Sequence, residues 1–256
     1  MRSLIACVKK EMTEHLRSGK LAVLGIVFLL FGIMNPAVAK LTPWLLEMMS
    51  ESMAQAGMDI TLTEVTALDS WAQFFKNIPI ALIVFVLLEG GIFTREYSSG
   101  TLVLSLTKGL RRLTVLSSKC LVLYLVWSAG YWLSFGVTYA YTAYYWDNSL
   151  AQNLIFSVVC WWLFGLFVIS LMILFSVLAK NVTLVLLGTG GVVLVCSILS
   201  MIPVIANYLP TALTNGNALL YSMAMPADYL WAIAITFVAS VVCIAISIPF
   251  FNKKQI

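Results

Sequence analysis

Charge is scarce in this chain of 256 residues. Lys, Arg, Asp and Glu together make up 10% of it against 61% hydrophobic residues, and it holds a single histidine, His15. So few polar groups cannot clothe a water-soluble surface. The scarcity, with a mean hydropathy of +0.98, excludes a soluble domain and leaves a polytopic membrane protein. Most chemistry goes with the charge: no nucleophile–base pair and no metal-ligand cluster can be assembled in the apolar runs, which disfavours an intramembrane enzyme. The five cysteines, Cys7, Cys120, Cys160, Cys196 and Cys243, show no paired spacing and read as apolar filler. Also missing is a G-x-x-x-x-G-K-[ST] run, so nothing in the chain cradles ATP phosphates in a P-loop.

What is present in abundance is long apolar runs. A helix needs about 20 mainly apolar residues to cross roughly 30 Å of hydrocarbon, and six stretches qualify. They lie near Leu21–Ala39, Ile78–Thr94, Cys120–Trp146, Asn153–Leu178, Val182–Ala206 and Ala227–Phe250. Each is expected to be helical, because an open strand would leave backbone groups unpaired in lipid. The fold class is therefore all-α, a single transmembrane domain over residues 1–256. Ala37-Val38-Ala39 resembles a signal-peptide cleavage site, but the residues before it include Glu11 and Glu14, unlike a basic leader, and the first span reads as retained.

The few charges are unevenly placed. Arg2, Lys9, Lys10, Arg17 and Lys20 precede the first span, and Arg95, Lys108, Arg111, Arg112 and Lys119 fill the second loop. Lys180 sits in the fourth loop, and Lys253 and Lys254 in the tail. The opposite side has only Lys40 and Lys76 beside seven acidic residues. By the positive-inside rule both termini are cytoplasmic, and the net charge of +4 reports topology, not affinity for nucleic acid.

Residues 1–20 suit an amphipathic helix lying in the interface. Leu4, Ile5, Val8, Met12 and Leu16 gather on one face, with Lys10, Glu11, Glu14 and Arg17 opposite, and Gly19 offers a bend into the first span. Residues 40–76 form an acidic outer segment. Pro43, Trp44, Leu45, Leu46, Met48 and Met49 suggest one interfacial helix there, and Val65, Leu68, Trp71, Phe74 and Phe75 another. Residues 203–226 carry no charge, yet hold Pro203, Pro210, Pro226 and three asparagines. That mix fits a re-entrant segment tucked among helices better than an aqueous loop. Tyr139, Tyr141, Tyr144, Tyr145 and Trp146 read as an aromatic belt. Gly188, Gly190 and Gly191 permit close helix approach, either within the subunit or between copies. Apart from Asp228 at the outer tip of the last span, Glu89 is the one charge inside a span, near its cytoplasmic end, and is expected to pair with Arg95 or another basic residue of the second loop; a proton-relay role for it is the other reading.

The second loop, residues 95–119, is the most informative segment. Ser98 and Ser99 suit a helix boundary, Gly100 a turn, and Leu102, Leu104 and Leu106 a short apolar stretch broken by Gly109. From the residues alone, a force-transmitting helix–turn–helix and a basic loop stapled to lipid headgroups stand level. The pattern Glu96-x-x-x-Gly100-Thr101-Leu102, then an apolar stretch, a breaker, Arg112 and Lys119, resembles the coupling loop of ABC-2 type permeases. The run Lys9-Lys10-Glu11 through Arg17 to Leu21 is similar to that family's cytoplasmic elbow helix; family members often have Pro where this chain has Gly109.

The resemblance implies the permease subunit of an ATP-driven exporter in a bacterial plasma membrane. ATP and Mg would be held by a separate P-loop ATPase, a second permease copy would complete the unit, and the chain itself would need no cofactor. Glu96, Gly100, Thr101, Leu102, Lys108, Arg111 and Arg112 would contact that ATPase, Lys9, Lys10, Glu11 and Arg17 would sit on the elbow, and residues 203–226 would close the path outside. Spans with almost no fixed charge suit amphipathic or hydrophobic cargo, such as an antimicrobial peptide. The competing reading is an ATPase-independent secondary transporter that works through Glu89.

The charge placement makes a topological prediction. In a variant without the native cysteines, single cysteines at Arg111 and Asn252 should react with an impermeant thiol reagent from one side of the membrane, and one at Ser149 from the other. Labelling of all three from one side would contradict the orientation.

Overall fold

A computed structural model of the chain describes residues 2–55, 64–100, 107 and 110–254, and within them the protein is all-helical. Eight helices organise it: α1 (Arg2–Arg17), α2 (Lys20–Gln55), α3 (Ala67–Glu89), α4 (Thr94–Ser99), α5 (Arg112–Tyr145), α6 (Leu154–Leu178), α7 (Val182–Leu199) and α8 (Leu230–Lys253). Short turns at Asn148–Leu150, Pro203–Ala206, Pro210–Thr214, Gly216–Leu220 and Pro226–Tyr229 link the later ones. Helices α2, α3, α5, α6, α7 and α8 are long and apolar enough to cross a membrane, as the six runs require. Gly19, at φ +72°, makes the bend between α1 and α2.

Several boundaries move. The first span does not stop at Ala39: α2 runs unbroken to Gln55, so Trp44, Leu45 and Met48 extend the same helix as exposed side chains. The second begins at Ala67, and Trp71, Phe74 and Phe75 lie in the buried core instead of along an interface. The outer segment 40–76 is thus largely the ends of two long helices. The third span starts at Arg112, which takes Lys119 out of the loop and into the helix. The fifth ends at Leu199, ahead of a separate turn at Pro203–Ala206.

The core is aromatic. Trp127 of α5 is fully buried and meets Phe28 of α2 and Phe85 of α3 edge-on, each with ring centroids 5.7 Å apart, and Tyr131 one turn along at 5.4 Å. Such pairs add to the packing that must hold helices together where water supplies no drive. The Tyr131 hydroxyl donates to the Val158 carbonyl at 2.7 Å and so ties α5 to α6. Helix α6 packs on α3, α5, α7 and α8 and is the most buried span, while α7 and α8 leave most of their surface outward. Gly188 lets α7 lie against the Phe175 ring of α6, where a Cβ would come within 2.5 Å; a Cβ at Gly190 or Gly191 would meet nothing within 4 Å from another part of the described residues.

One polar network is dictated by a proline. Pro36 lies within α2 and has no N–H, which frees the Gly32 carbonyl one turn earlier. In hydrocarbon that acceptor must be met by a neighbour. Thr138 of α5 donates to it at 3.1 Å, Asn35 donates to the Thr138 hydroxyl at 3.0 Å, and Asn77 of α3 donates to Asn35 at 2.8 Å. Gly32 makes the reach possible, since a Cβ there would lie 2.9 Å from that of Val137. Thr138→Val should therefore cost about 1–2 kcal/mol in detergent unfolding. Pro36→Ala, which restores the intrahelical donor, should remove most of that cost in a double-mutant cycle. Equal costs in both backgrounds would refute the assignment.

Candidate functional site

At the end of the bundle that carries both termini, charged side chains from five helices converge out of water. Helix α1 turns a stripe of Cys7, Glu11 and His15, spaced by four residues, toward the bundle, and all three are buried. Ile5, Lys9 and Leu16 are exposed on another side, as are Lys10 and Arg17 on a third. The apolar face drawn from the sequence is therefore split. Glu11, placed there on the polar face, faces inward because Lys119 awaits it.

Lys119 is buried two turns into α5. Its ammonium donates to Glu11 Oε2 at 2.8 Å and to Glu96 Oε1 of α4 at 2.9 Å. Glu14 completes a trio of carboxylates whose oxygens lie within 4.8 Å of one another, and Lys10 stands 3.9 Å from the second Glu11 oxygen. One lysine thus ties α1, α4 and α5 into a unit.

Glu89, fully buried at the end of α3, forms the second node. Its Oε2 accepts from Lys20 of α2 at 2.9 Å and pairs with His15 Nε2 at 3.1 Å, while Oε1 has no hydrogen-bond partner among the described residues. The sequence expectation of a partner in the second loop is corrected: Arg95 is exposed and not bonded to it. Gly90-Gly91 carry the chain away after Glu89, whereas α1 and the start of α2 pass beside it. His15, whose place on the interfacial helix reads as helix surface far from any other titratable group in a span, is instead only 4% exposed and a direct partner of Glu89. Its Nδ1 lies 2.9 Å from the Glu11 carbonyl. Burial disfavours a charged imidazole, but the Glu89 hydrogen bond and charge, with the Glu11 carbonyl, outweigh it and raise the His15 pKa above its ordinary value.

A third set fastens the tail. Arg112 Nη1 donates to the carbonyls of Phe251, Asn252 and Lys254 at 2.8–3.0 Å. Lys254 donates to Val177 and Ala179 at the end of α6, where a helix terminus favours a cation, and lies 4.0 Å over the Tyr97 ring of α4. Burial lowers its pKa.

The sequence-derived candidates separate accordingly. Glu96 joins the network, Gly100 ends α4 at φ +68°, and Arg111 is exposed just before α5, whereas Arg112 is committed to the tail. Thr101, Leu102 and Lys108 lie outside the described residues. At the other end, Pro203, Pro210 and Pro226 each open a short helical turn. Leu213, Leu219 and Leu220 are buried there, and Trp161 of α6 donates to the Thr214 carbonyl at 2.8 Å. His15, Lys20, Tyr97 and Lys254 were missed as site residues. The i, i+4 repeat of Cys7, Glu11 and His15 is the signal that could have placed the first of them.

Residues 5–227 match the model of a family described as ABC-2 family transporter protein. No curated protein matches the chain.

Removing one partner of a buried ion pair costs about 3–5 kcal/mol, because the other charge is stranded, whereas neutralising all partners is far milder. Lys119→Met should accordingly lower thermal stability in detergent sharply, and Lys119→Met combined with Glu11→Gln and Glu96→Gln should recover most of the loss. A triple variant no better than the single one would contradict the pairing.

Proposed function

From its membership of the ABC-2 transporter family, we propose that this chain is the membrane permease subunit of an ATP-driven exporter whose ATP is hydrolysed by a separate P-loop ATPase. Both termini and residues 95–119 face the cytoplasm, where thirteen of the fifteen basic residues gather. The observation that carries the reading is the Lys119 node. A partner pressing on the exposed segment around Ser98 and Arg111 acts on α4, and Lys119 passes that displacement to α1 and α5 together. A structure that merely anchored a basic loop to headgroups would not need a buried lysine behind it.

Cargo is amphipathic or hydrophobic, in the manner of an antimicrobial peptide. Two grooves open sideways between helices, about 620 Å³ between α5, α6 and α8 and about 550 Å³ between α3, α6 and α7, and among the described residues neither is lined by a charged side chain. The turns from Pro203 to Pro226 act as the outer gate, and a second permease copy supplies the other wall of the path. The bacterial plasma membrane is the setting.

The secondary-transporter reading assigns Glu89 to an ion. Its Oε2 is instead engaged by Lys20 and His15, an arrangement suited to holding helices. The test is reconstitution with the ATPase encoded nearest to this reading frame. The two should co-purify, and peptide movement in proteoliposomes should require ATP. Arg111→Glu, at an exposed position, should weaken the association several-fold without unfolding the permease. Uphill transport by the permease alone, driven by an ion gradient without nucleotide, would overturn the proposal.

A further inference from the structure

The hydrogen-bond geometry around His15 counts protons. A backbone carbonyl only accepts, so the 2.9 Å contact to the Glu11 carbonyl requires a hydrogen on Nδ1. The other ring nitrogen lies 3.1 Å from Glu89 Oε2, which already accepts from Lys20 at 2.9 Å. A neutral imidazole protonated at Nδ1 would aim a lone pair at that carboxylate. A hydrogen on Nε2 instead makes a charge-assisted bond.

We propose that His15 is a positioning residue held as an imidazolium, and that its second proton is what ties the elbow helix α1 to α3. This rests on the permease reading for its purpose, since α1 is the element through which the elbow and the ATPase-facing segment act together. The groups facing the ring account for the proton. Glu89 comes from α3 and Lys20 from α2, while the Glu11 carboxylate on the same helix is turned away to Lys119 of α5, a lysine shared with Glu96 of α4. The charge of Glu89 favours the imidazolium; Lys20 and burial oppose it. The joint is thereby sensitive to pH in one direction. A histidine whose pKa is raised on folding contributes its full stabilisation below the unfolded value near 6.5. The contribution is lost as pH rises through the higher folded value. Rising pH therefore loosens α1 from α3, while Lys119 still holds α1 to α5.

The chain has one histidine, so nitrogen NMR of permease labelled with ¹⁵N-histidine in phospholipid nanodiscs reads this site alone. The expected result is both ring nitrogens protonated at pH 7, with a midpoint above 6.5. In Glu89→Gln the midpoint should fall, because burial and Lys20 are then opposed by the Glu11 carbonyl without the charge of Glu89. A bare ring nitrogen at pH 7 in the unmodified protein, or a midpoint unmoved by Glu89→Gln, would overturn the inference. Amide exchange gives a second readout. Relative to α8, residues 2–17 of His15→Gln should exchange roughly tenfold faster at pH 6.5, the loss of one hydrogen bond to a charged group. His15→Lys should retain protection and show no weakening up to pH 8.5. Protection in His15→Gln equal to the unmodified protein would count against the joint. Neither readout needs an ATPase: failure to find one would sink the permease reading and leave the proton in place, while a normally coupled complex with a neutral His15 would sink only this inference.

Discussion

The Lys119 ammonium, taken out of water between two carboxylates, is the interaction on which the end of the bundle depends. Its desolvation is costly and is offset only by close pairing, so Glu11 and Glu96 are fixed in space, and with them α1 and α4. Hydrophobic side chains of similar size would have packed these helices at less cost. A charged node adds a penalty that apolar packing lacks, since a slip of α1 or α4 strands a charge. Glu89 repeats the device a short distance away, with Lys20 and His15 as its partners.

The same constraint governs the membrane interior. Where no water is at hand, the carbonyl freed by Pro36 is met by Thr138, and the chain of donors continues through Asn35 to Asn77. The polar groups inside this protein thus act as joints between specific helices: α2, α3 and α5 at the proline, and α1, α4 and α5 at the lysine. Around them the aromatic core of Trp127, Phe28, Phe85 and Tyr131 supplies packing that is less particular about register.

The six spans were legible because length and hydropathy alone decide whether a helix crosses hydrocarbon. Helix ends were not, since Trp71 and Phe74 carry the same composition whether they lie at an interface or in a core. Arg112 and Lys119 counted as loop charges because a lysine in a helix signals a loop unless its counter-ions are known, and these lie 108 and 23 residues away in sequence. His15 misled for a related reason. On a helical wheel a histidine beside two glutamates reads as polar surface, and only the return of α3 brings Glu89 to it. Pairings between distant residues are what tertiary structure adds, and here they build the whole site.

If the lysine node is a rigid joint, α1 and α4 must travel together when the proposed partner ATPase binds nucleotide. Electron–electron resonance between spin labels at Lys9→Cys and Ser98→Cys, in the assembled complex and a background without native cysteines, measures this directly. An unchanged distance distribution between nucleotide-free and nucleotide-bound states is the predicted result. A shift that separates the two labels on nucleotide binding would contradict the account.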